Sequence, residues 1–199
     1  DALDWLAKIE NGDKLARTLA IRGAARLALG DLAGAKGDLD QAIEKSNKKL
    51  EQALVARTWV DLAAGEVDAA RSRIRSRFQG MPTPAVATVW AAILRASGSP
   101  DDIKQAKDVL EPVAIGAPSV DLARAQLELA RLYRELGDGA AKALYTKVIA
   151  QTNSREIRVE TAKYLIDFSA DNGGRALFDE LLKGNAADPP ELLVEAARA

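Results

Sequence analysis

The sequence predicts an all-α fold of stacked antiparallel helix-turn-helix units, and three observations predict it. A small residue returns at Ala35, Ala70, Ala106, Ala141 and Ala176, in steps of 35, 36, 35 and 35. A large apolar residue follows the first four of these by four positions, at Leu39, Ile74, Leu110 and Tyr145. A glycine separates paired helical stretches at Gly30, Gly65, Gly98 and Gly137, and a helix breaker closes each unit at Asn47, Pro82, Pro118 and Asn153. Self-similarity at this period marks an array in which each hairpin buries its apolar face against its neighbours rather than in one central core.

The elements follow in order. Leu19, Ile21, Leu27 and Leu29, set among small residues, make 16–29 an amphipathic helix, and Gly30-Asp31 ends it. The turn is short, so the helix at 33–45 must return antiparallel beside the first. The pattern repeats at 50–64 and 67–79 around Gly65, at 84–97 and 101–113 with a longer turn, and at 119–136 and 139–151 around Gly137. A less regular fifth pair reads at 155–170 and 174–183. Thr83-Pro84 and Ser99-Pro100 place a capping hydroxyl before a proline in the first turn, where the missing N–H costs nothing. Asp188, with Glu191 three residues on, starts a further helix, and Ser119 and Ser154 are further cap candidates.

The whole of 1–199 thus reads as one array: a partial repeat at 1–12, repeats at 16–47, 50–82, 84–118 and 119–153, a degenerate repeat at 155–184 and the start of another helix at 189–199. Ala2, Leu6 and Ile9 carry the small-then-large spacing of a second helix. The expected reading is a segment of a longer array; the alternative is that both end helices are solubilising caps.

Composition narrows the function. With 28 basic and 29 acidic residues the net charge is −1, so no global field draws the chain to nucleic acid or membrane. No apolar run approaches a transmembrane span, so membrane insertion is not expected. The chain has no histidine and no cysteine. Ser-His-Asp and Cys-His nucleophile systems therefore cannot be built from it, and a conventional zinc site lacks its ligands. No cofactor motif is present, and no catalytic residue or metal ligand is expected. A cysteine-free chain suits cytosol and periplasm alike, with the cytosol favoured.

The pattern resembles the tetratricopeptide repeat (TPR) family, whose unit is a helix-turn-helix of about 34 residues with small and large apolar positions at set places. The matching residues are Leu19, Gly23, Gly30, Ala35, Leu39, Ala42 and Ile43 in the first unit; Leu54, Gly65, Ala70, Ile74, Phe78 and Pro82 in the second. Trp90, Ile93, Ala106, Leu110, Val113 and Pro118 match in the third, and Leu129, Ala130, Tyr133, Gly137, Ala141, Tyr145, Val148 and Ile149 in the fourth. Four departures stand out: Arg22 and Arg57 occupy the place of a first-helix leucine, Arg77 replaces a small residue, the third turn carries an insertion, and the fifth unit lacks the large aromatic. The resemblance implies a right-handed superhelical solenoid whose first helices line a concave face that holds a peptide or partner domain.

Placed in that register, the face receives Arg17, Ala20, Ala24 and Leu27 from the first unit and Gln52, Val55, Trp59 and Leu62 from the second. Thr88, Ala91 and Arg95 follow from the third, then Arg124, Leu127, Arg131 and Arg134 from the fourth. Trp59 is the candidate aromatic anchor. The arginines suit the carboxylates of an acidic peptide through forked hydrogen bonds. The competing reading makes them a solvated face paired with neighbours such as Glu128 and Glu135, and makes Trp59 a residue buried between hairpins. The places at which some family members carry a carboxylate clamp hold Ala20 and Ala24, so tail binding of that kind is not expected.

The run Arg71–Arg77 is the densest basic stretch. It lacks interleaved aromatic platforms, and Glu66 and Asp68 lie close by, so an ion-paired solvated helix is expected over a nucleic-acid site. The expected function is a non-enzymatic protein-interaction scaffold. The alternative is a structural spacer, or a module that self-associates through its open repeat ends.

Overall fold

The computed structural model describes residues 16–78, 81–151, 157–159 and 161–162. Among them every regular element is a helix, and eight are complete: α1 (Ala16–Ala28), α2 (Leu32–Lys45), α3 (Glu51–Ala63), α4 (Val67–Ile74), α5 (Pro84–Ser97), α6 (Pro100–Leu110), α7 (Val120–Glu135) and α8 (Ala140–Gln151). The partial repeat at 1–12, most of 155–184, the helix start at 189–199 and the caps expected at Ser154 and Asp188 lie outside the described residues. The chain divides into two compact units, Asp1–Asp102 and Ile103–Ala199.

Glycine in a left-handed conformation makes the turns. Gly30, Gly65, Gly98 and Gly137 have φ of 79°, 78°, 72° and 69°, a region closed to most side chains. In three of these turns the next N–H reaches back over the glycine: Asp31 to the Arg26 carbonyl at 2.9 Å, Glu66 to Asp61 at 2.8 Å and Asp138 to Tyr133 at 2.7 Å. This closure satisfies carbonyls that a helix end otherwise leaves unpaired. Thr83 accepts from Val86 N–H at 3.3 Å and Ser119 from Leu122 N–H at 3.0 Å, as caps. Asp31, not anticipated as a cap, accepts from Gly34 N–H at 2.9 Å.

In the first unit α1 packs on α2, α2 on α3, α3 on α4 and α4 on α5, while α1 also meets α3 and α3 meets α5. Contacts to the next helix and the next but one give two layers, with the first helices of successive hairpins side by side. The core runs through Leu19, Ala35, Leu39, Ala42, Ala53, Val60, Ala70, Ile74, Val86, Val89 and Ile93. The recurring small residues Ala35 and Ala70 are fully buried, as are Leu39 and Ile74. Gly23 shows the closeness of the α1–α2 crossing: a Cβ there would lie 2.5 Å from Leu39 Cγ and 3.2 Å from the Ala35 carbonyl oxygen. In the second unit α7 packs on α8 around Ala123, Leu127, Ala130, Ala141, Tyr145 and Val148.

Two expected helices end before their pattern does. The one expected at 101–113 ends at Leu110, and the one expected at 67–79 ends at Ile74, after which Arg77 N–H bonds to the Ile74 carbonyl as a tighter turn. Like charges at Arg71 and Arg75, four apart, oppose continuation of the helix. Phe78 leaves the helix line to stack on Trp90, with centroids 4.7 Å apart and planes 11° from parallel.

Candidate partner-binding face

In the first unit, α3 carries the clearest stripe. Gln52, Val55, Trp59 and Leu62 fall at steps of three and four and so share one side of the helix. Gln52 is exposed, while Val55, Trp59 and Leu62 are half-buried, each packed by part of its surface on the core. Trp59 therefore fits neither extreme expected for it: it is anchored on the core and still presents an aromatic surface. Arg17, exposed, lies in the first turn of α1, and Arg95, half-buried, in the last turn of α5. Ala20, Thr88 and Ala91, expected on the face, are buried. Ile21, not expected there, is well exposed on α1.

In the second unit α7 carries the other candidates. Arg124 and Arg134 are exposed. Arg131 donates to Glu128 at 2.6 Å, a pair at (i, i+3) whose carboxylate is buried. Leu127 is only 4% exposed and belongs to the core with Tyr145 and Val148. Its place as a contact residue is corrected: the stripe that includes Arg124 and Arg131 also passes through the line on which α7 meets α8.

Both arginines at the place of the first-helix leucine are charge-paired. Arg22 makes a forked contact with Asp38, Nε to Oδ2 at 2.9 Å and Nη2 to Oδ1 at 2.7 Å, and Arg26 Nη1 lies 2.9 Å from the same carboxylate. Arg57 bonds to Asp61 on its own helix and, through Nε at 2.8 Å, to Asp40 of the preceding hairpin. Arg73 donates to Asp61 at 2.7 Å. Arg57 and Asp61 are 3% and 1% exposed. These two clusters occupy equivalent places, since 22, 26 and 38 become 57, 61 and 73 each 35 residues on. Each is two arginines around one aspartate, but the aspartate sits on the second helix in the first hairpin and on the first helix in the next. The Arg26 and Asp61 carbonyls are also those that close the glycine turns. Reading the sequence as an apolar lattice missed these clusters. The available signal was the recurrence of arginine at 22 and 57 together with carboxylates at 38, 40 and 61.

Within the second unit, the Tyr133 hydroxyl donates to Glu111 at 2.9 Å, and Lys107 lies over the Tyr133 ring, 5.3 Å from its centroid. Burial, the hydrogen bond to Glu111 and the charges of Glu111 and Asp138 push the Tyr133 hydroxyl up to a pKa of about 12. Among the described residues no cluster of acidic side chains is placed to hold a metal ion, and no helix is long and apolar enough to cross a membrane.

No protein-family model matches the sequence, and no curated protein matches it. Solved structures do. A thermophilic TPR protein of Thermus thermophilus is similar at 21% identity and a TM-score of 0.77, over 92% of this chain and 97% of that one. PilF of Pseudomonas aeruginosa is similar at 18% identity and a TM-score of 0.61, over 95% of this chain and 84% of its own. A set of nearly identical TPR-like repeats from Podospora anserina gives 16% identity and a TM-score of 0.50, over 96% and 100%. These likenesses show the fold: an all-α, TPR-like helical repeat.

Proposed function

We propose that the chain is a protein-interaction scaffold that holds a peptide or partner helix on the first-helix face of its first unit. The observation that carries this reading is the α3 stripe of Val55, Trp59 and Leu62, half-buried on the core yet open on its outer side. An aromatic side chain held in place by packing loses little conformational freedom when a partner covers the rest of it, and such residues dominate binding energies. Arg17 and Gln52 at the starts of α1 and α3, and Arg95 at the end of α5, supply polar contacts around the apolar stripe. They suit a partner that carries carboxylates. Arg124, Arg131 and Arg134 on α7 offer a second set of cations, with Arg131 engaged by Glu128.

The TPR-like fold supports a scaffold over an enzyme, as does the absence of histidine and cysteine. The test is affinity capture from source-cell lysate, comparing wild type with Trp59→Ala and with Arg17→Glu/Arg95→Glu. Each variant is first shown to be as helical as wild type by circular dichroism. Selective loss of the same captured protein from both variants supports the face. Identical capture by all three proteins rules it out.

A further inference from the structure

We infer that a cleft between the first two hairpins binds a free amino acid with a small aliphatic side chain, of the size of valine. The cleft lies where the start of α2 meets the end of α3, and its volume is about 170 Å³. A cavity of about 150 Å³ holds a benzene molecule, so the aliphatic part of valine fits. Leu32 from α2 and Val60 and Ala64 from α3 give it apolar walls, while Lys36, Arg57, Asp61 and Glu66 supply charge. On α3, Arg57, Val60 and Ala64 fall on the opposite side from Val55, Trp59 and Leu62. The inference is therefore independent of the proposed partner face.

Arg57 is the buried group that points to a ligand. Its Nε donates to Asp40 and its Nη1 to Asp61, while Nη2 makes no hydrogen bond among the described residues. Nη2 is not sealed from solvent, so its N–H groups are open to the cleft that Arg57 lines. An acceptor entering the cleft satisfies them, and a carboxylate is the acceptor that gains most from a guanidinium. At the rim, Lys36 and Glu66 are exposed, and neither is ion-paired with the other or with another described residue. The two cations and two carboxylates of the lining balance. A ligand with a net charge thus gains at one group what it loses at another, whereas a zwitterion gains at both. Its carboxylate meets Arg57 and Lys36, its ammonium meets Glu66, and its side chain lies against Leu32, Val60 and Ala64.

The test is a titration of the full, nitrogen-15-labelled chain with L-valine, followed by amide chemical shifts. Saturable shifts are expected at Leu32, Ala33, Val60 and Ala64, with a Kd on the order of 0.1–1 mM for so small a ligand. Two analogues separate the charges: 3-methylbutanoate lacks the ammonium, and 2-methylpropan-1-amine lacks the carboxylate. Each is expected to bind at least about fivefold more weakly. Lys36→Gln and Glu66→Gln, both at exposed positions, are each expected to weaken valine by about fivefold or more, and Ala33→Leu, which fills the cleft, to abolish its binding. The comparison of the three ligands on wild type stands whether or not a variant folds. The inference is overturned by the absence of saturable shifts up to about 20 mM valine, by shifts confined to residues away from the cleft, or by either analogue binding as well as valine. Unchanged binding by folded Lys36→Gln and Glu66→Gln overturns it too.

Discussion

Replacing Asp61 by asparagine removes the single charge that two arginines share. Arg57, 3% exposed, would keep only Asp40, whose carboxylate is 45% exposed, and Arg73 would lose its partner. Removing one member of a buried ion pair costs about 3–5 kcal/mol, because the remaining charge stays out of water. Asp40 still offsets part of that charge, so the low end, about 3 kcal/mol, is expected for Asp61→Asn. With a urea dependence of about 2 kcal/mol per molar, the unfolding midpoint of the first unit falls by roughly 1.5 M. The informative variant is the exchange Asp61→Arg/Arg73→Asp, which gives the second hairpin the arrangement of the first. Each single change leaves like charges facing one another; the double change restores two arginines around one carboxylate. The exchanged protein is expected within about 1 kcal/mol of wild type while Asp61→Arg alone loses more than about 3 kcal/mol. Urea unfolding followed by circular dichroism measures all three. A double variant no more stable than the worse single would show that the clusters are not equivalent and sink the reasoning.

Three further outcomes follow from the same structure. Gly23→Ala forces Leu39 away from a Cβ it would meet at 2.5 Å, for a net loss of about 1 kcal/mol after helix propensity is credited; Gly37→Ala, with nothing within 4 Å, is expected to gain about 0.5–1 kcal/mol, and urea midpoints compare them. Thr83→Ala removes both the α5 cap and the hydrogen bond to Glu51, lowering stability by about 1 kcal/mol in thermal melts. Tyr133, raised from 10.0 to about 12, keeps its proton in the folded state at pH values where the unfolded chain has lost it. Its contribution is therefore full below the ordinary tyrosine range and disappears as pH rises toward the folded value. Phenolate absorbance should show a late-titrating component that is lost in Tyr133→Phe; an unchanged titration would refute the assignment.

The repeat lattice was legible because it is written in residue size. Ala35 and Ala70 sit where helices cross closely, Leu39 and Ile74 fill the layer between hairpins, and Gly30 and Gly65 turn the chain; each requirement is local and recurs at a fixed step. The end of α4 was not legible, since the stacking of Phe78 on Trp90 depends on a helix in the next hairpin. Exposure was only half legible. The register put Trp59 and Leu127 on the same kind of stripe, but the packing of α7 on α8 buries Leu127, while Trp59 stays partly open on α3. Periodicity gives the face of a helix and not the depth to which its neighbour covers it. The charge clusters escaped because their members are spread over both helices of a hairpin and the carboxylate changes place between repeats.

That change of place has a physical consequence for an array of near-identical hairpins. The short turns favour the pairing of each first helix with the second helix of its own hairpin, and charge discriminates further between near-identical hairpins. If α1 were set against α4, the three equivalent places would hold Arg22, Arg26 and Arg73, with no carboxylate among them. If α3 were set against α2, Arg57 would face both Asp61 and Asp38. Each native pairing instead places two arginines around one aspartate. Buried like charges oppose a wrong pairing more strongly than an apolar mismatch does, because they can be relieved neither by water nor by a small shift. With first helices aligned on their turn glycines and second helices on the recurring alanine, the third and fourth hairpins carry Trp90, Leu94 and Val109, then Leu129, Tyr133 and Leu144, at these places, so among the described hairpins this form of discrimination is confined to the first two. The exchange variant tests it: with both hairpins carrying the same arrangement, refolding should become slower or less complete even though equilibrium stability is kept. If it refolds like wild type, the clusters contribute stability alone and do not select the pairing.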